Sequence, residues 1–277
     1  MSGPSLSLYE EFSSVNPTLS DESVVRAICN SLLDEAEVEP PVDVGLLASL
    51  CGIVEVEQRP EGPAGMLIHT SRGWVASVLA DDGPERQRFT ILHEGGHTLM
   101  PDFKRARRYH RCKGARTREE QLCDVAAAEL LLPRRFFVPD LADVADGLDG
   151  VESLSIAYEA SIQATALRAV DLARTPSALM VLSFGHKPAE RGREDRCEPR
   201  LRLAWAHTAG PWPFARRYKS VEVGSPLARA WEGEYVEEAI DVDELFAEPV
   251  GRVTVSARRY GDKVLALARR PRRRATA

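Results

Sequence analysis

Along residues 21–35 the apolar positions Val24, Val25, Ile28, Leu32 and Leu33 repeat at helical spacing behind the polar run Ser20-Asp21-Glu22-Ser23. This is the stripe of an amphipathic helix with a capping start, and Pro40-Pro41 breaks it. Asp43 then caps a short helix from Val44 to Leu50 that ends at Gly52. From Ile53 the period drops to two. Ile53 to Glu57, Gly65 to Thr70 and Trp74 to Leu79 alternate as strands, the last two joined by Ser71-Arg72-Gly73 as a hairpin. Asp81-Asp82-Gly83-Pro84 turns the chain into a helix carrying Phe89, Leu92, Leu99 and Met100, which Pro101 stops. A second helix runs from Glu119 to Leu132 and is stopped by Pro133.

Further on, Phe136, Phe137 and Val138 are expected to pack under that helix, and Leu148 to Gly150 to turn. Residues 152–174 read as two short helices meeting near Glu159 to Ser161, the outline of a helix-turn-helix. From Ser177 the texture changes. Ala178 to Phe184, Leu201 to His207, Ser220 to Val223, Arg252 to Arg258 and Lys263 to Arg269 alternate as strands, and Ser225 to Trp231 reads as a helix. The whole is α+β, with an antiparallel sheet in its C-terminal half. The boundaries expected are a flexible N-terminus over 1–20, a first domain over 21–150, a helix-turn-helix-like connector over 151–176, a C-terminal α+β domain over 177–270 and a basic tail over 271–277.

Chemistry concentrates in His93-Glu94-Gly95-Gly96-His97. Four residues make about one helical turn, so both imidazoles share a face. Two imidazoles so placed can bind one Zn²⁺, and Glu94 can hold a water there without being a ligand. A catalytic zinc wants a third protein ligand and an open position. A His-x-x-Gly-x-x-His continuation is excluded, because Met100 and Phe103 stand where it needs Gly and His. The other solution is a Glu on a second helix, with an Asp one turn later that orients a ligating His. Glu120 and Asp124 have that spacing, with Glu119 and Glu129 as competitors for the ligand position. Mn²⁺ or Fe²⁺ are alternative occupants, because such a donor set is not strictly selective.

These two segments, Arg86 to His97 and Glu120 to Pro133, together with Pro41 to Ala48 and Gly52-Ile53, resemble the ImmA/IrrE-type metallopeptidases over roughly residues 21 to 175. The resemblance implies a zincin-like domain whose short sheet receives the substrate chain by strand addition. It also implies a helix-turn-helix-like element and, in some members, a small-molecule sensor of GAF type in the C-terminal half. The implied activity is zinc-dependent cleavage of a helix-turn-helix transcriptional repressor in a stress or mobile-element response. Two departures stand out. Gly95 occupies a place where the family often has a larger apolar residue, and Cys123-Asp124 stands where Ala-Asn is frequent. Two adjacent glycines inside a helix cost about 1 kcal/mol each relative to Ala.

Composition bounds the rest. A chain of 277 residues suggests two domains, and 44% hydrophobic with 28% charged residues is ordinary for a soluble globular protein. No apolar run reaches membrane-spanning length, and the first residues lack the basic start and apolar stretch of a secretory signal. Five widely spaced cysteines without Cys-x-x-Cys read as reduced thiols, hence a cytoplasmic location. A net charge of −6 argues against broad adhesion to nucleic acid. The cationic run from Lys104 to Arg118 is either a solvated loop or a cradle for an acidic substrate stretch, with Tyr109 or His110 stabilising the oxyanion. In residues 152–174 only Gln163, Thr165 and Arg168 could read bases, which is thin. His69, His186 and His207 read as strand or surface histidines. The expected function is a metallo-endopeptidase with Glu94 as general base. The alternatives are a non-catalytic protein that sequesters a repressor and a DNA-binding regulator.

Overall fold

The computed structural model describes residues 8–100, 117–190, 192 and 196–270. They divide into two compact units, Met1–Asp140 with Ser155–Ser161 and Leu141–Leu154 with Ile162–Ala277. Among the described residues no helix is long and apolar enough to cross a membrane.

The first unit opens with α1 (Leu8–Val15), which forms within the stretch expected to be loose. Helix α2 (Asp21–Glu35) starts where Ser20 accepts from the Ser23 amide, and it buries the Val24, Val25, Ile28, Leu32, Leu33 stripe. Asp43 accepts from the Leu46 amide at 2.9 Å and starts α3 (Val44–Leu50). Strands β1 (Ile53–Arg59), β2 (Gly65–Thr70) and β3 (Gly73–Leu79) form a sheet in the order β1-β3-β2. The hairpin makes β2 antiparallel to β3, while β1 lies parallel to β3 on the other side. Ala48, Ile53, Leu67 and Ala76 form a buried cluster with Trp74 and Ile91 against it, seating the sheet between α3 and α4 (Pro84–Leu99).

Thr117 caps α5 (Arg118–Leu131) by accepting from the Glu120 amide at 3.2 Å. Glu129 near the end of α5 is buried, pairs with Arg26 of α2 at 2.9 Å and accepts from the Arg134 amide at 3.2 Å. A buried carboxylate needs such partners, since desolvation otherwise outweighs its packing. Of Phe136, Phe137 and Val138, expected to pack under α5, only Phe137 of α6 (Arg134–Asp143) is fully buried, and its ring packs on Tyr158 at 5.4 Å. The Tyr158 hydroxyl donates to Asp140 at 2.6 Å.

In the second unit, α7 (Leu148–Ala157) takes up the residues expected to turn at 148–150, and α8 (Ile162–Leu172) follows. Thr165 and Arg168 are 0% and 2% exposed, so neither side chain lies on an open face of α8. Strands β4 (Ser177–Gly185), β5 (Arg200–Ala209), β6 (Val236–Asp241), β7 (Arg252–Tyr260) and β8 (Lys263–Arg269) form one antiparallel sheet in the order β5-β4-β8-β7-β6, and α9 (Pro226–Trp231) precedes β6. Buried Met180, Leu182, Leu203, Phe246, Val255 and Ala266 belong to its core. Arg258 of β7 pairs with Asp149 at 3.1 Å and with Glu152, and the Ser256 hydroxyl accepts from the Leu148 amide at 3.0 Å, which holds α7 on this sheet.

Ser220 to Val223, expected as a strand, makes only an isolated bridge from Ser220 to Arg202. Val221 is buried in the core while Val223 is 91% exposed, so the segment seats one side chain without extending into a strand. Strand β6 escaped the reading because it is an edge strand of sequence Val-Glu-Glu-Ala-Ile-Asp, in which only Val236 is buried.

Candidate metal centre

Helix α4 carries Leu92 and Leu99 inward, which turns the face bearing His93 and His97 toward α5. The two rings stand 5.2 Å apart, centroid to centroid. Two glycines let the neighbours come close. A Cβ at Gly95 would stand 3.3 Å from Cys51 Sγ, and one at Gly96 would stand 3.0 Å from Cys123 Cα and 3.2 Å from Ala126 Cβ. Gly96 is therefore what allows α5 to press on α4, while Gly95 makes room for Cys51 and Ile53.

Opposite them, α5 presents Glu119, Glu120, Cys123 and Asp124 along one face. His93 Nδ1 lies 3.0 Å from Asp124 Oδ1, and His93 Nε2 lies 3.3 Å from Glu120 Oε2. His97 repeats the pattern, with Nδ1 3.2 Å from Glu119 Oε1 and Nε2 3.7 Å from Glu120 Oε1. A carboxylate at Nδ1 favours the tautomer with the proton there and leaves the Nε2 lone pair free. Both Nε2 lone pairs then face the oxygens of a third carboxylate. Acceptor facing acceptor is repulsive unless a cation lies between. Burial opposes charge on His93, but hydrogen bonds from its ring to Asp124 and Glu120, with the field of Asp124 and Glu94, outweigh it and lift its pKa to about 9.

Glu94 lies on the same helix, 4% exposed, with Oε2 buried and without a hydrogen-bond partner among the described residues. Burial raises its pKa, against the opposing pull of His97 and His93. Its carboxylate occupies the space where Gly65 of β2 lacks a side chain, since a Cβ at 65 would overlap Glu94 Oε1 and stand 2.6 Å from Thr90 Cγ2. Edge strand β2 is thus brought directly over the acid.

The chemistry of this donor set fits a divalent cation. His93, His97 and Cys123 offer ligand atoms that all lie within 4.8 Å of one another, and Glu120 adds its carboxylate beside both imidazoles. Of the residues singled out from sequence, His93, Glu94, His97, Glu120 and Asp124 are gathered here. Tyr109 and His110 lie outside the described residues, as do the cationic run up to Arg116 and the tail from 271. His69 is exposed, against Trp74 with ring centroids 4.5 Å apart. Two residues went unassigned by sequence. Glu119, weighed only as a rival ligand, sits on the outer nitrogen of His97, and Cys123 lies beside the imidazoles. The available signal was the doubled i, i+4 spacing of Glu119 with Cys123 and Glu120 with Asp124, a two-residue-wide polar stripe on an otherwise alanine- and leucine-rich helix.

A solved structure described as a Mycobacterium tuberculosis transcriptional regulator is similar with a TM-score of 0.57 at 11% identity, covering 95% of this chain and 79% of that one, a likeness of fold alone. No curated protein matches. Residues 68–169 match the family model Peptidase M78, described as an IrrE N-terminal-like domain, so the resemblance read from the two helices is borne out and the candidate metal centre lies within the matched segment.

Proposed function

We propose that this chain is a zinc-dependent endopeptidase in which His93, His97 and Glu120 hold the ion, Asp124 and Glu119 orient the two imidazoles, and Glu94 is the general base. The observation that carries this is the convergence of both Nε2 atoms on Glu120, at 3.3 and 3.7 Å, beside a buried Glu94 oxygen without a partner. When bound, zinc supplies Lewis acidity toward water and toward the substrate carbonyl. Glu94 accepts the proton from the attacking water as its oxygen bonds to the carbonyl carbon, then delivers that proton to the amine nitrogen as the C–N bond breaks. Sheet order leaves β2 at an edge, with Gly65 against Glu94, so an extended substrate pairing along β2 brings its scissile bond to the acid. The target in this reading is a helix-turn-helix transcriptional repressor. A small-molecule sensor of GAF type in the second unit is part of the same reading, for which the antiparallel sheet with its α7 packing gives the α+β frame.

The test is to load the full chain with zinc, measure the metal content and incubate it with a co-encoded repressor, with and without chelator. One zinc per chain and cleavage that stops on chelation are expected. A chain that takes up no metal, or that leaves the repressor intact when loaded, overturns the proposal. Buried Thr165 and Arg168 weigh against a DNA reader built on α8.

A further inference from the structure

Cys123 is the chemistry-bearing side chain of this face that peptide hydrolysis leaves without a role. It is fully buried on α5, three residues after Glu120 and next to Asp124, and its sulfur lies within 4.8 Å of a ring nitrogen of each of His93 and His97. Gly96 makes that approach feasible, because a Cβ there would stand 3.3 Å from Cys123 Cβ. Ala126, one turn further along α5, meets the same glycine with a methyl group alone, at 3.2 Å. An independent side chain marks the spot as one for a cation: Glu94, the neighbour of His93 on α4, is 4% exposed and has a buried carboxylate oxygen without a hydrogen-bond partner among the described residues.

The geometry points to Cys123 as a metal ligand in its own right: its thiolate joins His93, His97 and Glu120 on the same ion. This rests on the metal reading given above. The S–H proton is released to solvent as the sulfur–metal bond forms. Four protein ligands make a closed tetrahedral set, whereas a catalytic set keeps one position open for water. The resting site is then shut by its own thiol, and hydrolysis requires Cys123 to leave the ion. A soft thiolate also shifts preference toward thiophilic ions such as Zn²⁺ or Cd²⁺ and away from Mn²⁺.

The experiment loads the full chain with Co²⁺ and records its absorption spectrum. A thiolate-to-cobalt charge-transfer band in the near ultraviolet is expected for the wild type. It should vanish in Cys123→Ser and Cys123→Ala while each still takes up one Co²⁺. X-ray absorption of the zinc-loaded wild type should show sulfur at about 2.3 Å beside lighter ligands at about 2.0–2.2 Å, and needs no variant to fold. Stoichiometric metal with neither band nor sulfur shell overturns the inference and leaves the His₂Glu centre standing. A band that survives both substitutions also overturns it. Absence of metal uptake by the wild type overturns both this inference and the centre it builds on.

Discussion

The outer nitrogen of His97 stands 3.2 Å from Glu119, just as that of His93 stands 3.0 Å from Asp124. Each imidazole thus has its own carboxylate partner on α5. Asp124→Asn and Glu119→Gln should therefore act alike, each lowering metal affinity by roughly 10- to 100-fold, as loss of such partners does. Glu120→Gln should cost more than either, because it removes the oxygen that both inner nitrogens face. Competition titration against a fluorescent zinc chelator reads all three. A Glu119→Gln chain that binds as tightly as the wild type would show that the second contact orients nothing.

Glu94→Gln separates chemistry from binding. It keeps the shape and removes the proton acceptor. Metal and repressor binding should persist while cleavage falls by roughly 10²- to 10⁴-fold. The metal-free variant should be at least as stable as the wild type, since the charge it removes belongs to a buried group with an unpartnered oxygen. Undiminished derepression in cells carrying this variant would favour sequestration over cleavage.

Gly65→Ala tests the approach of β2 to the acid. The new methyl overlaps the end of the Glu94 side chain, so the carboxylate must move. Cleavage should drop with zinc still bound, and stability should fall toward the low end of the about 1–3 kcal/mol typical of overpacking. Thermal unfolding and turnover measured on one preparation decide it. Full activity would place the working position of Glu94 elsewhere.

The buried Glu129 carboxylate depends on Arg26. Arg26→Met should destabilise the chain by no more than the about 3–5 kcal/mol seen when a buried pair loses one partner. The low side is expected, because Arg26 is 35% exposed and the Arg134 amide still donates. Chemical denaturation of both chains gives the difference, and a variant as stable as the wild type would deny the pair its part in joining α2 to α5.

In the second unit, His207 of β5 lies 2.6 Å from Asp171 of α8. That hydrogen bond raises the His207 pKa, against the opposing effect of burial. A raised folded pKa contributes stability that is complete below the unfolded value of about 6.5 and is lost as pH rises through the folded value. Asp171→Asn should therefore narrow the gap to the wild type as pH rises, with most of the cost felt in acid. Unfolding midpoints on either side of neutrality measure this. Since both side chains are more than a third exposed, solvent screening keeps the effect small.

Much of the centre was legible because its signals are local. The His93/His97 turn and the Glu120/Asp124 turn are spacings within single helices, and the caps Ser20 and Asp43 announce α2 and α3 from the sequence itself. What escaped depends on two segments meeting. That Glu119 serves His97, or that Gly65 clears room for Glu94, is fixed by the register between α4 and its neighbours, which no one-dimensional pattern carries. Strand β6 escaped for the opposite reason: its acidic edge hides the alternation that burial would have written into it.

Glu119 and Glu120 both stand in the first turn of α5, just behind the Thr117 cap, and Arg118 between them and the cap reaches Asp21 and Glu22 of α2. The end of a helix is the part that frays first. On the proposed ligand set, winding of that turn and retention of the ion would be a single equilibrium: an ion held by Glu120 would ratchet the turn shut, and a frayed turn would let go of the ion together with the carboxylate at His97. By linkage, loosening the cap should show up as faster metal loss long before the fold as a whole gives way.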